Sequence, residues 1–273
     1  MRKFAVLLSY SGTKYCGWQK QSKLGTDGAL SIQQVFETEV RGIIGEETKV
    51  IGSGRTDSGV HALGQTVHFK VEGTKWTSEI LKRGLNSRLP LSIRVLAAKE
   101  VALDFHAQKS ATQKQYSYYF QQGPCALPHL VPYSWWIQKR LDLGALNRAL
   151  EMLKGEHDFK PFQASGSKMG GTTVRKILDG QATFEPLSFP GGAAFANHDF
   201  GLVRIRLVGT GFLKQMVRGI AGTLLQIGES RRKAESIQEI FKSKDRSKVG
   251  PTAPARALWL ERVWYPEVYD LRW

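Results

Sequence analysis

Strand-type and helix-type segments alternate along this chain, and they do so twice. Phe4 to Tyr10 is an apolar run of the length of a buried strand. Ser31 and Gln34 fit a capping box, and Ile32, Val35, Phe36, Val40, Ile43 and Ile44 then fall on one face, which predicts a helix over 31–44. Lys49 to Ser53 reads as a short strand, and Gln65 to Val71 alternates with Val67, Phe69 and Val71 on one face. Thr77 and Ser78 can cap a helix that ends near Asn86, before Pro90, and Ile93 to Val101 is a further strand. The Tyr-rich run from Ala111 to Gln122 predicts a long, central strand. The alternation then restarts. Asp142 caps a helix bearing Leu143, Leu146, Leu150 and Leu153, and strands follow at Thr173 to Phe184 and Leu202 to Val208. Helical spacing over Gly211 to Ile227, a shorter helix at Ala234 to Phe241 and a closing strand at Leu258 to Trp264 complete it.

This pattern predicts an α+β fold of two ferredoxin-like halves. Each half has helices on one face of a mostly antiparallel sheet, the sheets join into a central one, and a cleft between the halves would hold an active site. The 273 residues allow one large domain or two modest ones. The expected division is 1–107 and 108–273, with the linker near His106 to Thr112. Pro186 to His198 is rich in Gly and Pro and reads as a surface loop.

Composition restricts the partners. Against 24 Asp and Glu stand 39 Lys and Arg, a formal net charge of +15. So large an excess points to a polyanion, and nucleic acid is the usual one. The cations are spread along the chain, which predicts a charged face on a folded body and not a basic tail. No apolar stretch reaches the ~18 residues that would span a membrane. The start, Met1-Arg2-Lys3-Phe4, lacks the long apolar region of a signal peptide, and a cytoplasmic protein is expected. Cys16 and Cys125 are the two cysteines, and neither they nor the six histidines show metal-ligand spacing. No metal and no cofactor are expected.

The sharpest chemical signal lies between Ile51 and Phe69. A strand enters, a glycine-rich loop follows and a strand leaves. Gly52, Gly54 and Gly59 permit tight turns and close backbone approach, and Arg55 and Asp57 share that loop. A neighbouring arginine favours the ionised carboxylate, which can serve as nucleophile or base. On loop physics alone, an Arg-Asp pair that merely closes a turn is the commoner outcome.

The run Gly54-Arg55-Thr56-Asp57-Ser58-Gly59-Val60-His61-Ala62, followed by Gly64-Gln65-Thr66-Val67-His68-Phe69, resembles the signature of the tRNA pseudouridine synthase A family. Further segments match that family in order. They are Tyr10 to Gln19, Ser31-Ile32-Gln33, Asp104-Phe105-His106-Ala107, Ser110-Ala111-Thr112 and Asp158-Phe159 with Phe162. Thr173 to Ile177, Phe212-Leu213 with Met216-Val217-Arg218, Gly250 to Pro254, Leu258-Trp259-Leu260 and Tyr265-Pro266 continue the match over nearly the whole chain.

The resemblance implies an isomerase that converts uridine to pseudouridine at positions 38, 39 and 40 of the tRNA anticodon arm, without metal or cofactor. It implies a homodimer, with the second half contributing the dimer interface. It assigns Asp57 as the catalytic nucleophile, Arg55 as the residue that orients it and Arg218 as the arginine that pairs with it. Tyr116 would stack on the flipped uracil, and Leu258 and Leu260 would wall its pocket. By themselves, Tyr116, Leu258 and Leu260 read equally as core strand residues. His61, His68 and His106 receive no central role and read as structural or RNA-contacting. Whether the aspartate adds to C6, attacks C1′ or removes the C2′ proton stays open. Four positions depart from the family pattern: Ser11 for Asp, Ser58 for Ala, Gln108 for Arg and Ala257 for Gly. A basic RNA-binding protein without catalysis would share the charge and the aromatics. The set Arg55, Asp57, Tyr116 and Arg218 argues against it. A two-metal nuclease would gather several carboxylates, and the Asp57 loop has one.

Overall fold

The computed structural model describes residues 1–20, 28–45, 47–164, 171–187 and 201–273. The chain divides into two compact units, Met1–Lys114 with Trp259–Trp273, and Gln115–Leu258. Both are mixed α+β.

In the first unit β1 (Arg2–Tyr10) leads to α1 (Ile32–Ile44), β2 (Ile51–Gly52), β3 (His61–Val71), α2 (Ser78–Arg88) and β4 (Ile93–Val101). The strand order is β4-β1-β3-β2 with every pair antiparallel, which is the ferredoxin-like βαββαβ arrangement. The returning strand β10 (Leu258–Trp264) pairs parallel with β3 at its start, Trp259 opposite His61 and Leu260 opposite Ala62. Both expected caps form: the Ser31 side chain accepts from the N–H of Gln34, and that of Thr77 from Ile80. The apolar face of α1 is Ile32, Phe36, Val40 and Ile44, and Phe36 meets Phe69 of β3 edge to face at 6.2 Å.

The alternation read over 65–71 predicted one apolar and one polar face for β3. The polar face is also buried: Thr66 and His68 are almost wholly covered. Residues 102–107 and the end of the chain cover it. Ala5, Val101, Phe105 and Ala107 form a cluster against which Tyr265, Tyr269, Leu271 and Trp273 pack. The Tyr265 hydroxyl donates to the Ala107 carbonyl at 2.7 Å, and burial raises the pKa of that phenol. A buried polar face needs partners. Nδ1 of His68 accepts from the N–H of Ala107 at 3.0 Å.

Burial, helped by His106, Lys3 and Lys70, lowers the His68 pKa from 6.5 to about 4. Between those values an unfolded chain binds a proton that the folded chain refuses. The stabilisation is therefore complete above pH 6.5 and is lost as pH falls toward 4, by roughly 3 kcal/mol. His68→Asn keeps an acceptor for Ala107 and removes the titration. Urea midpoints should fall less between pH 7 and pH 4.5 in that variant than in the parent chain.

Strand β5 (Gln113–Gln122) begins in the first unit and runs on into the second, where β6 (Trp135–Ile137), α3 (Leu143–Leu153), β7 (Gly155–Asp158), β8 (Val174–Pro186), β9 (Gly201–Gly209), α4 (Met216–Gly228) and α5 (Ser236–Ser243) follow. The order is β5-β9-β8-β7, with β6 on β5. The succession β5, α3, β8, β9, α4, β10 repeats the βαββαβ sequence of the first half. Asp142 caps α3 through its side chain, which accepts from Ala145 at 2.9 Å. Strands β6 and β7 are three and four residues long, too short to show a period of two in the sequence. Helix α4 starts at Met216 and not at Gly211. Gln215 takes the left-handed conformation (φ 59°), and Phe212 and Leu213 belong to the turn before it. Beyond residue 187, the loop expected over 186–198 lies outside the described residues.

Candidate active site

Asp57 sits in the loop between β2 and β3, and four carbonyls around it are tied down. The Ser53 carbonyl accepts from the Lys114 ammonium at 2.6 Å, and the Gly54 carbonyl from the Gln65 side chain at 2.8 Å. The Thr56 carbonyl accepts from the Trp18 N–H at 3.0 Å, and the Asp57 carbonyl from the Val60 N–H at 3.1 Å. Gly59 turns the chain at φ 80°. The Thr56 hydroxyl shares a 2.9 Å hydrogen bond with Tyr10, whose pKa burial pushes up to about 12, so the phenol keeps its proton. Asp57 is half-buried while Arg55 and Ser58 are exposed. A loop held this closely fixes the main chain that carries the Asp57 side chain, as preorganised sites require.

The bracing comes from the stretch after β1. A Cβ at Gly12 would stand 2.1 Å from the Val60 carbonyl oxygen, and one at Gly17 (φ 99°) would stand 2.7 Å from that of Thr56. A Cβ at Gly52 would meet the Trp18 ring at 2.7 Å. Glycine is needed where a second backbone, or a packed ring as at Gly52, approaches this closely. Helix α1 secures the next residues: Gln33 accepts from Gln19 and from the N–H of Lys20, and donates to the carbonyl of Val50, just before β2. The N–H of Gly12 donates to Nδ1 of His61 at 3.1 Å, and the His61 ring stacks on Trp259 at 4.4 Å. With Nδ1 an acceptor, the neutral ring carries its proton on Nε2. His61 and His68 are thus structural, each receiving a backbone N–H.

Asp57, Arg55 and Leu260 belong to the first unit, and Tyr116, Arg218 and Leu258 to the second. Tyr116 on β5 is nearly buried and meets Phe212 edge to face at 5.0 Å. Arg218 projects from the first turn of α4. Its Nε donates to the Ala253 carbonyl at 2.7 Å, and the N–H of Ala253 returns a bond to the Arg218 carbonyl at 3.1 Å. The helix can approach that segment because residue 222 is glycine: a Cβ there would lie 1.7 Å from the Pro251 carbonyl oxygen. Leu258 and Leu260 are both buried, Leu260 completely. Among the described residues no cluster of His, Cys, Asp and Glu could hold a metal ion.

The sequence profile described as tRNA pseudouridine synthase matches residues 7–108 and 149–266, most of the chain. The chain belongs to the tRNA pseudouridine synthase family. Its activity class is therefore that of an isomerase converting uridine to pseudouridine. The synthase is 38% identical over 265 residues to the tRNA pseudouridine synthase A of Thermoanaerobacter sp. (strain X514), covering 97% of this chain and 100% of that one. It is 37% identical over 270 residues to tRNA pseudouridine synthase A 1 of Desulfotalea psychrophila, with 97% and 100% covered. It is 35% identical over 270 residues to the enzyme of Neisseria meningitidis serogroup C, with 99% and 94% covered. A solved Cbf5-Nop10-Gar1 complex matches at a TM-score of 0.33 and 10% identity, covering 96% of this chain and 58% of that one.

Within the synthase, Gln33 and Phe212 show in the sequence as family matches, and Lys114 only as part of the Tyr-rich strand. The contacts of Gln33 and Lys114 with the main chain around the loop appear only in the structure. Ser58, where the family usually has Ala, donates to the Tyr15 carbonyl at 3.1 Å from an exposed position. An exposed hydrogen bond of this kind contributes little net stability. Ser58→Ala should keep activity within about twofold and shift the melting temperature by no more than ~2 °C.

Proposed function

We propose that this synthase isomerises uridines 38, 39 and 40 in the anticodon stem-loop of tRNA, with Asp57 as the nucleophile. The observation that carries the proposal is the tethering of the Asp57 loop, which holds one carboxylate and leaves it half-buried. In the reaction the bond from C1′ to N1 breaks, the uracil turns, and a bond from C1′ to C5 forms. C5 gives up its hydrogen and N1 gains one, so no redox partner is called for. Asp57 can add to C6, attack C1′ or take the C2′ proton, and each route needs the ionised carboxylate against the nucleotide. Arg55 and Arg218 are the arginines assigned to it, and Leu258 and Leu260 the apolar wall.

A uridine must leave its stack to be reached, and an unstacked base is stabilised by an aromatic face. Tyr116 is the residue we assign to that task. Tyr116→Phe should retain stacking and most binding, whereas Tyr116→Ala should lose on the order of 1–3 kcal/mol, a roughly five- to 150-fold fall in kcat/KM. The net charge of +15 supports a broad electrostatic contact with the tRNA, and acting at adjacent positions points to recognition of RNA shape. We place the enzyme in the cytoplasm as a homodimer; no helix among the described residues is long and apolar enough to cross a membrane. Pseudouridine mapping of tRNA from cells lacking this chain tests the site. Loss confined to positions 38–40 is expected, and an unchanged anticodon arm would refute it.

A further inference from the structure

We propose that Lys114 is a positioning residue for the reaction, acting through the main chain that leads into Asp57. The inference rests on Asp57 being the catalytic carboxylate. Lys114 Nζ lies 2.6 Å from the Ser53 carbonyl oxygen, the short distance of a charge-assisted hydrogen bond. Ser53 is completely buried. Its N–H donates to the Thr66 carbonyl at 2.8 Å and its hydroxyl to the Gln65 side chain at 2.5 Å. The Gln65 amide then reaches the Gly54 carbonyl. The stem of the loop is therefore gripped at Ser53 and Gly54, four and three residues before Asp57.

The grips on carbonyls 54, 56 and 57 come from neutral groups of β3, the stretch after β1 and the loop itself. The grip on carbonyl 53 comes from a cation on β5, two residues before Tyr116. The space is shaped for it: a Cβ at Gly54 would lie 3.1 Å from the ammonium nitrogen, its nearest neighbour. Glycine at 54 thus leaves the ammonium unhindered, whereas a methyl there would ask it to give by a few tenths of an ångström. Without the ammonium, a buried carbonyl loses its partner and the stem is free to shift, carrying Asp57 with it. A displacement on the order of 1 Å at a reacting group costs about a hundredfold in rate.

The test compares Lys114→Met, Lys114→Arg, Gly54→Ala, the double variant Gly54→Ala/Lys114→Met and Asp57→Asn in steady-state pseudouridine formation on an anticodon-arm tRNA. Lys114→Met should lower kcat roughly ten- to hundredfold with KM within threefold, and Lys114→Arg should recover most of it. Gly54→Ala should lower kcat in the same direction and by less, because the ammonium at the end of a flexible chain can give by a few tenths of an ångström. The double variant should be no slower than the slower single one, because both remove one contact. Wild-type kcat in Lys114→Met would overturn the proposal. So would a rise in KM at constant kcat, which marks a phosphate contact, or multiplied effects in the double variant. If Lys114→Met does not fold, the kcat of Lys114→Gln decides on the same terms. Substantial activity in Asp57→Asn would instead remove the reading of Asp57. An inactive Asp57→Asn beside a fully active Lys114→Met would remove the inference alone.

Discussion

Asp57→Asn should abolish pseudouridine formation and leave tRNA bound. The substitution keeps the size and shape of the side chain and takes away its charge and nucleophilicity. The backbone of the loop has no reason to move, since the tethers at residues 53, 54, 56 and 57 all grip main-chain carbonyls. Removing a residue that acts as nucleophile or base lowers rates by ~10⁴-fold or more, about 5.5 kcal/mol of transition-state stabilisation. Release of tritium from C5 of labelled uridine in an anticodon-arm transcript measures this directly. Filter binding of the same transcript should give a Kd within about threefold of the parent, because phosphate contacts supply most of the affinity. The melting temperature should stay within ~2 °C. A variant that still releases tritium at even a tenth of the parent rate would end the assignment of Asp57.

Gly12→Ala should damage both the fold and the rate, from a position 45 residues before Asp57 in the chain. The added methyl would stand 2.1 Å from the carbonyl oxygen of Val60, 2.7 Å from its carbonyl carbon and 3.0 Å from its nitrogen. All three are backbone atoms, so no side chain can rotate away, and either the stretch after β1 or the Asp57 loop must move. Overpacking with no flexible outlet costs on the order of 3 kcal/mol, or roughly 6–12 °C in melting temperature for a chain of this size. The same displacement breaks the bond from the Gly12 N–H to His61 and shifts the turn closed by Val60 on Asp57. A fall in kcat of about a hundredfold is expected beyond the loss of folded protein, measured well below the melting temperature. Full activity with an unchanged melting curve would show that the loop does not need this contact.

Much of the architecture can be read from local spacing. Ser31, Thr77 and Asp142 cap the three helices they were expected to cap, and the long strands fall where the apolar runs lie. The start of α4 was misplaced because Phe212 sits at helical spacing with Met216 and Ile220 yet faces a different neighbour, Tyr116. The polar side of β3 shows in sequence only as the other half of an alternation, with His68 read as structural or RNA-contacting. Its partners, Ala107 and the aromatic end of the chain, lie far away in sequence, and no periodicity encodes them.

The sequence by itself determined the alternation of strands and helices, the caps, and the family signature around Asp57. Those properties depend on residues within a turn or two of one another. Only the tertiary structure decided why Gly12, Gly17 and Gly52 are glycines, which group holds the Ser53 carbonyl, and that residues 259–273 return to the first unit. Close backbone approach and the choice of a hydrogen-bond partner are settled between segments distant in the chain, after the elements have packed. A glycine or a lysine looks the same in sequence whether or not such a neighbour is waiting.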